Sequence, residues 1–563
     1  MTRTGATLVV EALVRARVKH LFSLSGNQIL SVYDATLGQP IEIIHTRHEA
    51  AGVHMADAWG RLTETPGVAL VTAGPGHLNA LGALYGALMA ESPCVLLSGA
   101  SPRAQAGRGA FQEIDQSGVA QPVVKAAWTA ERADGLGDDI ARALDIACSG
   151  RPGPVALSLP GDLLEARVEG PVGMGDEASL AQSTKAIRRE TSSPIPTSPP
   201  DASTVSPLSD AEVREIVGML RIARRPLIVV GGAMARPARR AAVDEFARLA
   251  GVPVLAMESP RGVNDPWLHL AATRFGEVDL VLLLGKRLDF ALRFGGMPPW
   301  ASPCRFVQID VDQDALRPGG NVALAACADP VAAVTALTAA ARGESFAHHA
   351  WATDLDASRH AEPARWAELR RSAQAPMHPL RVCAALQPLL DAGAILVGDG
   401  GEFGQWIQAG CEAGTRMING PAGSIGSAIP LALAAKLRHP GRPVIAALGD
   451  GTFGFHALEL DTAVRRGLPI VVVVGNDARW NAEHQLQIAT YGRDRTVGCE
   501  LLPTRYDRLA ESLGCHGERV EKPGELEGAL ARARASGLPA CLDVVIEGVA
   551  APTYRAAQGG THA

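Results

Sequence analysis

Two carboxylates frame the chemistry this sequence can do. Asp450 sits between glycines at the end of the apolar run "PVIAALGDG", and Asp477 closes the run "LPIVVVVGND". Between them, "TFGFHALELDTAVRRG" carries Phe453, Ala457, Leu460 and Val464 at helical spacing. Strand, helix and strand in that order form a right-handed crossover, which sets two parallel strand ends side by side. The spacing therefore brings Asp450 and Asp477 to one sheet edge, the edge at which open α/β sheets take ligands. Gly449 and Gly451 permit a tight turn there, and the following helix offers its N-terminal N–H groups to an anion. A hard divalent cation shared with a diphosphate suits this set, because Mg2+ takes about six oxygens, commonly from one or two carboxylates and phosphates. Gly-Asn-Asp is also ordinary turn chemistry; the second carboxylate at the neighbouring strand end favours the metal reading.

Such a pair needs sheets to hold it, and the chain supplies them in series. The first third has "GVALVTAG" and "PCVLLSGA", the middle has "RRPLIVVGGA", "VDLVLLLG" and "CRFVQIDVD", and the last adds "GAILVGDGG" and "LPACLDVVI". Strands that are apolar throughout, separated by helices, imply parallel sheets covered on both faces. Two stretches divide them. Residues 169–207 are dense in Pro, Ser and Thr and read as a linker, and residues 342–376, rich in Ala, Arg and Glu, read as a helix or an ordered connection. The expected fold class is α/β, with three consecutive domains of mainly parallel sheet flanked by helices: an N-terminal domain at 1–168, a central one at 208–341 and a C-terminal one at 377–563. A length of 563 residues agrees with several cores.

The same residues resemble thiamine-diphosphate-dependent enzymes, whose signature is Gly-Asp-Gly followed by Asn-Asn at the next strand end; here Asp477 replaces the second Asn. The resemblance implies metal ligation by Asp450, the Asp477 side chain and the backbone carbonyl of Arg479, with Gly449, Gly451 and Thr452 along the diphosphate. "IIHTRHEAAGVHMADAWGR" is similar to the family's RHE segment, which makes Glu49 the carboxyl that hydrogen-bonds N1′ of the aminopyrimidine, with Asn79 also in the cofactor set. In "NGPAGSIGSAIPLALAAK" the register implies Ile425 as the apolar wedge under the cofactor and the Gly423 carbonyl as acceptor for its 4′-amino group. A surface acid at 49 and a packed helix residue at 425 are the plainer alternatives. "LVTAGPGHLNALGALYGALMAESPCVLLSGA", "GAFQEIDQSGVAQPVVKAAW" and "GRPGPVALSLPGDL" look like the acetolactate synthase and pyruvate oxidase branch; benzaldehyde lyase and 2-hydroxyacyl-CoA lyase are also similar.

By the same register, Asn27, Gln28, His77, Phe111, Gln112, Trp480, Asn481 and Glu483 face the substrate, and Glu49, Gln112, His77, Asn27 and Gln28 form the catalytic set. Asn27-Gln28 either orients a carbonyl or caps the helix "ILSVYDATL", and His77 either moves a proton or supports the fold. Gly26-Asn27 stands where acetolactate synthases carry Gly-Gly, and the Trp they carry near Leu486 is missing. The implied activity is decarboxylation and carboligation of 2-oxo acids such as pyruvate, with thiamine diphosphate and Mg2+. The alternatives are carbon–carbon lysis of a 2-hydroxy ketone or a 2-hydroxyacyl-CoA, or a catalytically silent thiamine-diphosphate-binding protein. Glu49 and Ile425 stand on different domains, which in the family meet across a dimer, so the resemblance implies a homodimer or homotetramer with its site between subunits. "LIVVGGAMARPARR" resembles the region that holds FAD in acetolactate synthases, without a complete GxGxxG; FAD, an adenine nucleotide and an empty pocket all stay open.

Composition removes other classes. A net charge of −6 with no basic block gives a nucleic-acid backbone nothing to bind. Nine scattered cysteines with no CxxC suit buried thiols in a reducing compartment. The N-terminal run is broken by Glu11, Arg15 and Arg17, and no apolar stretch approaches the roughly 18 residues a membrane span needs. The expectation is a cytoplasmic protein.

Overall fold

The computed structural model describes residues 3–168 and 206–554; all but the last two residues of the expected 169–207 linker lie outside them. Three sheets follow one another along the chain, and every strand pairing within them is parallel. The first contains β1 (His20–Ser23), β2 (Glu42–His45), β3 (Gly67–Val71), β4 (Cys94–Ala100), β5 (Ala126–Thr129) and β6 (Pro154–Pro160), in spatial order β2-β1-β3-β4-β6-β5. The second contains β7 (Pro226–Val230), β8 (Val254–Ala256), β9 (Leu280–Leu284), β10 (Arg305–Asp310) and β11 (Val322–Cys327), in order β11-β10-β9-β7-β8. The third contains β12 (Ile395–Asp399), β13 (Arg416–Ile418), β14 (Val444–Gly449), β15 (Val471–Asn476), β16 (His516–Val520) and β17 (Ala540–Val545), in order β13-β12-β14-β15-β17-β16.

The valine run explains β15. All six of its residues are buried, as a strand covered on both faces requires, and β-branched side chains pack well on a pleated surface. Its neighbour is β14, with Gly449 opposite Gly475, so the crossover sets the two carboxylates at adjacent strand ends. The connection differs from the single helix its periodicity predicts. Two short helices, Asp450–His456 and Glu459–Arg465, meet at a turn through Ala457 and Leu458. The turn is closed by short-range bonds from Leu460 N–H to the Ala457 carbonyl and from Asp461 N–H to the Leu458 carbonyl. It lets the buried Glu459 reach the first domain, where its carboxylate accepts the Arg47 N–H at 2.9 Å.

The first and third domains share one apolar cluster, in which Phe22, Val53, Met55 and Leu84 join Leu431, Leu448, Phe453 and Val472. Helices Glu49–Thr63 and Ala428–Arg438 pack together at this junction. The central domain has its own core around Phe246, Leu282 and Leu337. Segment 342–376 is ordered: helix His349–Arg359 buries Trp351 against the central domain, and the indole N–H donates to the Pro226 carbonyl at 2.9 Å. All nine cysteines are free thiols and seven of them are buried. Among the described residues, no helix is long and apolar enough to cross a membrane.

Candidate active site

At the carboxyl edge of the third sheet, one pocket gathers Ile425, Asp450, Thr452, Asp477, Trp480 and Glu483, together with Gly449, Gly451 and Asn481. Asp450 opens its helix, and its carboxylate accepts the Gly451 N–H at 2.9 Å, with the Ala478–Arg479 backbone close enough to favour its charged form. Its other oxygen, Oδ2, is buried with no hydrogen-bond partner among the described residues. Burial lifts the Asp450 carboxyl to about 6. Burial, and then the neighbouring Asp450, lift Asp477 to about 7, against the opposing pull of the Arg479 guanidinium. Two desolvated carboxylates that repel each other, one with an orphaned oxygen, fit a divalent cation. Among the described residues no three His, Cys, Asp or Glu side chains converge as a cage. A cation here therefore needs further oxygens from backbone and from an anionic ligand, which is the Mg2+–diphosphate arrangement.

The loop that carries Asp477 is fixed from behind. The Asn476 amide donates to Asp543 at 2.8 Å and to the Thr504 carbonyl at 3.1 Å, while its oxygen accepts the Ala478 N–H. Trp480 N–H donates to the Cys499 carbonyl at 2.7 Å, and Leu501 N–H donates to the Ala478 carbonyl at 2.8 Å. Asn476 is thus a latch, and Asp477 is the member of the pair that faces the pocket. The Trp480 ring lies against Gly451, where a Cβ would come within 2.7 Å of it. Ile425 lies in the loop ahead of helix Ala428–Arg438 and not inside the helix, and its branched side chain packs against Gly400, where φ is +41°. The Gly423 side of that loop packs on Pro260.

A second cluster forms on the first domain. Glu49 is the first residue of helix Glu49–Thr63 and is 8% exposed. Asn79, from helix Pro75–Met89, donates its amide to Glu49 Oε2 at 3.0 Å. Gly76 lies against Glu49 and Thr72, and the Thr72 hydroxyl donates to Gln28 at 2.5 Å. Gln112 packs on Gly74, whose N–H donates to the buried Gln116 at 3.0 Å. Among the described residues, none of this domain lines the Asp450 pocket of the same chain.

Three family models match in the order of the three sheets. The thiamine pyrophosphate enzyme N-terminal TPP binding domain covers residues 3–119, the central domain of those enzymes covers 213–337, and their C-terminal TPP binding domain covers 399–544. The chain belongs to the thiamine pyrophosphate enzymes. The acetolactate synthase large subunit of Mycobacterium tuberculosis is 34% identical over 97% of this chain and 96% of its own length. A 2-hydroxyacyl-CoA lyase 2 of Caenorhabditis elegans is 31% identical over 97% of this chain and 90% of its own, and a 2-hydroxyacyl-CoA lyase of rice is 28% identical over 96% and 95%.

Within this thiamine pyrophosphate enzyme the expected site residues fall into two groups. Asp450, Asp477, Thr452, Ile425, Trp480, Asn481 and Glu483 meet in the third-domain pocket, and Glu49, Asn79, Gln28 and Gln112 gather on the first domain. Phe111 stands apart, 70% exposed. Asn27 is exposed, and neither it nor Gln28 caps the helix that follows, which begins at Leu30 without a side-chain cap; the capping alternative for this pair fails. His77 is wholly enclosed, its Nδ1 lies 2.8 Å from the Ser98 hydroxyl, and burial pushes its imidazole down to about 4. That is the setting of a neutral core histidine. The sequence reading missed Gly401, Glu402 and Phe403, which line the pocket from the end of β12. Burial raises the Glu402 carboxyl above its ordinary range, and Glu483 across the pocket adds to the shift.

Between the first and central domains lies a cleft of about 540 Å3 at the carboxyl edge of the second sheet. At the turn after β7, where a nucleotide diphosphate would need free N–H groups, Glu91 already accepts the Ala233 N–H at 2.8 Å. Arg151 lies half-buried between Glu91 and Asp310, paired with both. The fit to a flavin diphosphate at that turn is poor.

Proposed function

We propose that this enzyme binds thiamine diphosphate through Mg2+ held by Asp450, Asp477 and the Arg479 carbonyl, and decarboxylates 2-oxo acids such as pyruvate to join the remaining fragment to a second carbonyl compound. The observation that carries the metal half is the pair of desolvated carboxylates in one pocket, the buried Asp450 with an orphaned oxygen and the half-buried Asp477. The relative at 34% identity, named acetolactate synthase, supports the substrate class.

When bound, thiamine diphosphate would supply an acidic C–H whose deprotonated carbon is the nucleophile, and an electron sink for the carbon–carbon bond that breaks. This chain's residues do the rest. Glu49 holds a proton at the pyrimidine N1′, with Asn79 fixing the carboxylate; this is general acid–base work. Ile425 would support the cofactor, and the Gly423 carbonyl would accept from its amino group. Gln28 and Gln112 present amides to the substrate carbonyl from the first domain, and Trp480 and Glu483 close the other side. The two halves come from two subunits, so the working unit is a homodimer or a multiple of it. No step uses a flavin. Glu49, Asp450 and an apolar residue at 425 together argue against a silent binding protein.

The second reading, carbon–carbon lysis of a 2-hydroxy ketone or 2-hydroxyacyl-CoA, is favoured by relatives named 2-hydroxyacyl-CoA lyase at 31% identity and by Gly26-Asn27 in place of Gly-Gly. One assay separates the two. Enzyme loaded with thiamine diphosphate and Mg2+ is incubated with pyruvate, and CO2 and acetolactate are measured. Formation of both supports the first reading. Inertness to pyruvate with cleavage of a 2-hydroxyacyl-CoA establishes the second.

A further inference from the structure

Away from the carboxylate pocket, all three domains meet around a cavity of about 330 Å3 with a cationic wall. The first domain contributes Arg61, the central domain Arg236 and Glu258, and the third Arg416, His439 and Arg442. Arg61 is satisfied within its own helix and across the junction: it pairs with Asp57 at 2.5 Å and donates to the Ile418 carbonyl at 2.7 Å. The other three guanidinium groups have no carboxylate in salt-bridge range among the described residues. Arg236 is 6% exposed, and one of its nitrogens, Nη2, donates to the backbone carbonyls of Ala90 and Glu91. Its Nη1 is buried with no partner among the described residues. Arg416 lies over the Trp267 ring at 4.5 Å, and its Nη1 is likewise buried and unpartnered. Arg442 donates to the Gly393 carbonyl at 2.9 Å and to the Thr415 hydroxyl at 3.2 Å, contacts that leave its charge uncompensated.

Burying a cation without a counter-charge is costly, and leaving its N–H groups unmade adds to the cost. Here the buried Arg236 and the half-buried Arg416, from different domains, each keep a buried Nη1 without a partner among the described residues at one cavity, with Glu258 as the single carboxylate on its wall and Asp265 within electrostatic reach of Arg416. Burial lowers Arg236 to about 10, and Arg239 and Arg61 nearby push the same way against Glu91. Planar guanidinium forks match tetrahedral oxyanions through paired charge-assisted bonds. The cavity lies at the lower end of the roughly 300–1,000 Å3 range of small-molecule pockets, so it holds more than a bare oxyanion.

The geometry points to a binding site for the phosphate group of a small phosphorylated metabolite, held by Arg236, Arg416 and Arg442 at the three-domain junction. The site is separate from the thiamine diphosphate pocket. A ligand there bridges all three domains and stabilises their arrangement, because anything that binds the folded state alone raises its stability.

The test uses enzyme saturated with thiamine diphosphate and Mg2+, so that the diphosphate pocket is filled. Inorganic phosphate and glycerol phosphate are titrated calorimetrically, and Tm is recorded with each against chloride at equal ionic strength. Wild type is expected to bind and to show a higher Tm. The variants Arg416→Gln and Arg442→Gln are expected to bind at least about tenfold more weakly and to lose the Tm rise, with turnover unchanged. Tighter binding of the ester identifies an organic phosphate as the occupant, and equal binding identifies the free anion. Absence of any phosphate-specific heat or Tm shift in wild type overturns the proposal, as does unchanged affinity in both variants.

Discussion

Asn79 donates its side-chain amide to the Glu49 carboxylate across 3.0 Å, joining the first turns of two neighbouring helices. The pair stands on the first domain, while Asp450 and Asp477 line a third-domain pocket that no described first-domain residue of the same chain enters. If the two clusters act on one cofactor, they come from different copies of the chain. Glu49→Gln and Asp450→Ala, each inactive alone, are then expected to regain activity when unfolded together and refolded as a mixture. For a twofold dimer, random pairing restores about a quarter of wild-type activity, because half the dimers are mixed and each carries one intact site. Refolding each variant alone is the control. A mixture as inactive as its parents would put both clusters in a single subunit's site.

Glu49 is expected to matter for proton movement and not for holding the diphosphate, which is bound on the other domain. Gln at this position keeps the shape and can still pair with Asn79, but it carries no titratable proton. Loss of one general acid–base group costs about 10²–10⁴-fold, or roughly 3–5 kcal/mol of barrier. Turnover and hydrogen exchange at the cofactor's thiazolium carbon, followed by NMR in deuterated buffer, should fall together, while calorimetric affinity for thiamine diphosphate changes far less. Wild-type exchange in the Gln variant would remove Glu49 from the mechanism.

The two pocket carboxylates, Asp450 and Asp477, are expected to differ in their tolerance of change. Asp450 accepts the Gly451 N–H, lines the pocket and keeps a buried oxygen with no partner among the described residues. Asp450→Ala should weaken Mg2+-dependent cofactor binding by about 10–100-fold, the range for losing a buried charged partner. Asp477→Asn should keep activity. The amide still offers an oxygen, and the change removes a charge that burial and Asp450 already push towards protonation. Titration of thiamine diphosphate into each variant with Mg2+ present checks both, and equal affinity of Asp450→Ala and wild type would rule Asp450 out as a ligand.

Much of this site was legible because its signals lie where a β-strand stops. The crossover rule alone set Asp450 beside Asp477, and the register of Gly449 with Gly475 bears that out. Glu49 was legible through the resemblance of its RHE segment, and its place at the start of a helix behind an apolar strand agrees with that. The limits are equally local. A second Gly-Asp-Gly, at 398–400, ends β12, yet its Asp399 turns inward: the carboxylate accepts the Ala428 N–H at 2.9 Å and the Ser427 hydroxyl at 3.3 Å. One tripeptide thus lines a pocket in one place and caps a helix in another, and the tertiary neighbour decides which. The pocket role of Glu402 was hidden in the same way, since its charged and backbone neighbours come from distant segments, at Arg261, Glu483 and Ala551. His77 follows a Gly-Pro-Gly turn that resembles an active-site loop, but only packing shows that its ring is enclosed against Ser98.

That enclosure gives His77 a pH signature. Burial sets its folded pKa at about 4, below the ordinary 6.5. The unfolded chain therefore takes up the proton first as the pH falls. The stability that neutral His77 contributes is complete above about 6.5, is lost as the pH drops from there to about 4, and changes no further below that. At about 1.4 kcal/mol per pKa unit, the upper bound is about 3 kcal/mol. Buried carboxylates such as Asp399, raised to about 7, work in the opposite sense, because their protonation favours the folded state as the pH falls. The wild-type curve alone would mix these terms, and the difference between two variants separates them. His77→Gln retains a partner for Ser98 and cannot titrate, so urea unfolding at pH 7.5 and at pH 4.5 should show the variant gaining about 2–3 kcal/mol relative to wild type at the lower pH. Its turnover near neutral pH should stay within a few-fold of wild type, since a neutral buried ring transfers no proton there. A parallel pH dependence in the two proteins would show that His77 does not titrate as its burial implies. A large loss of turnover with stability unchanged would return it to the catalytic set.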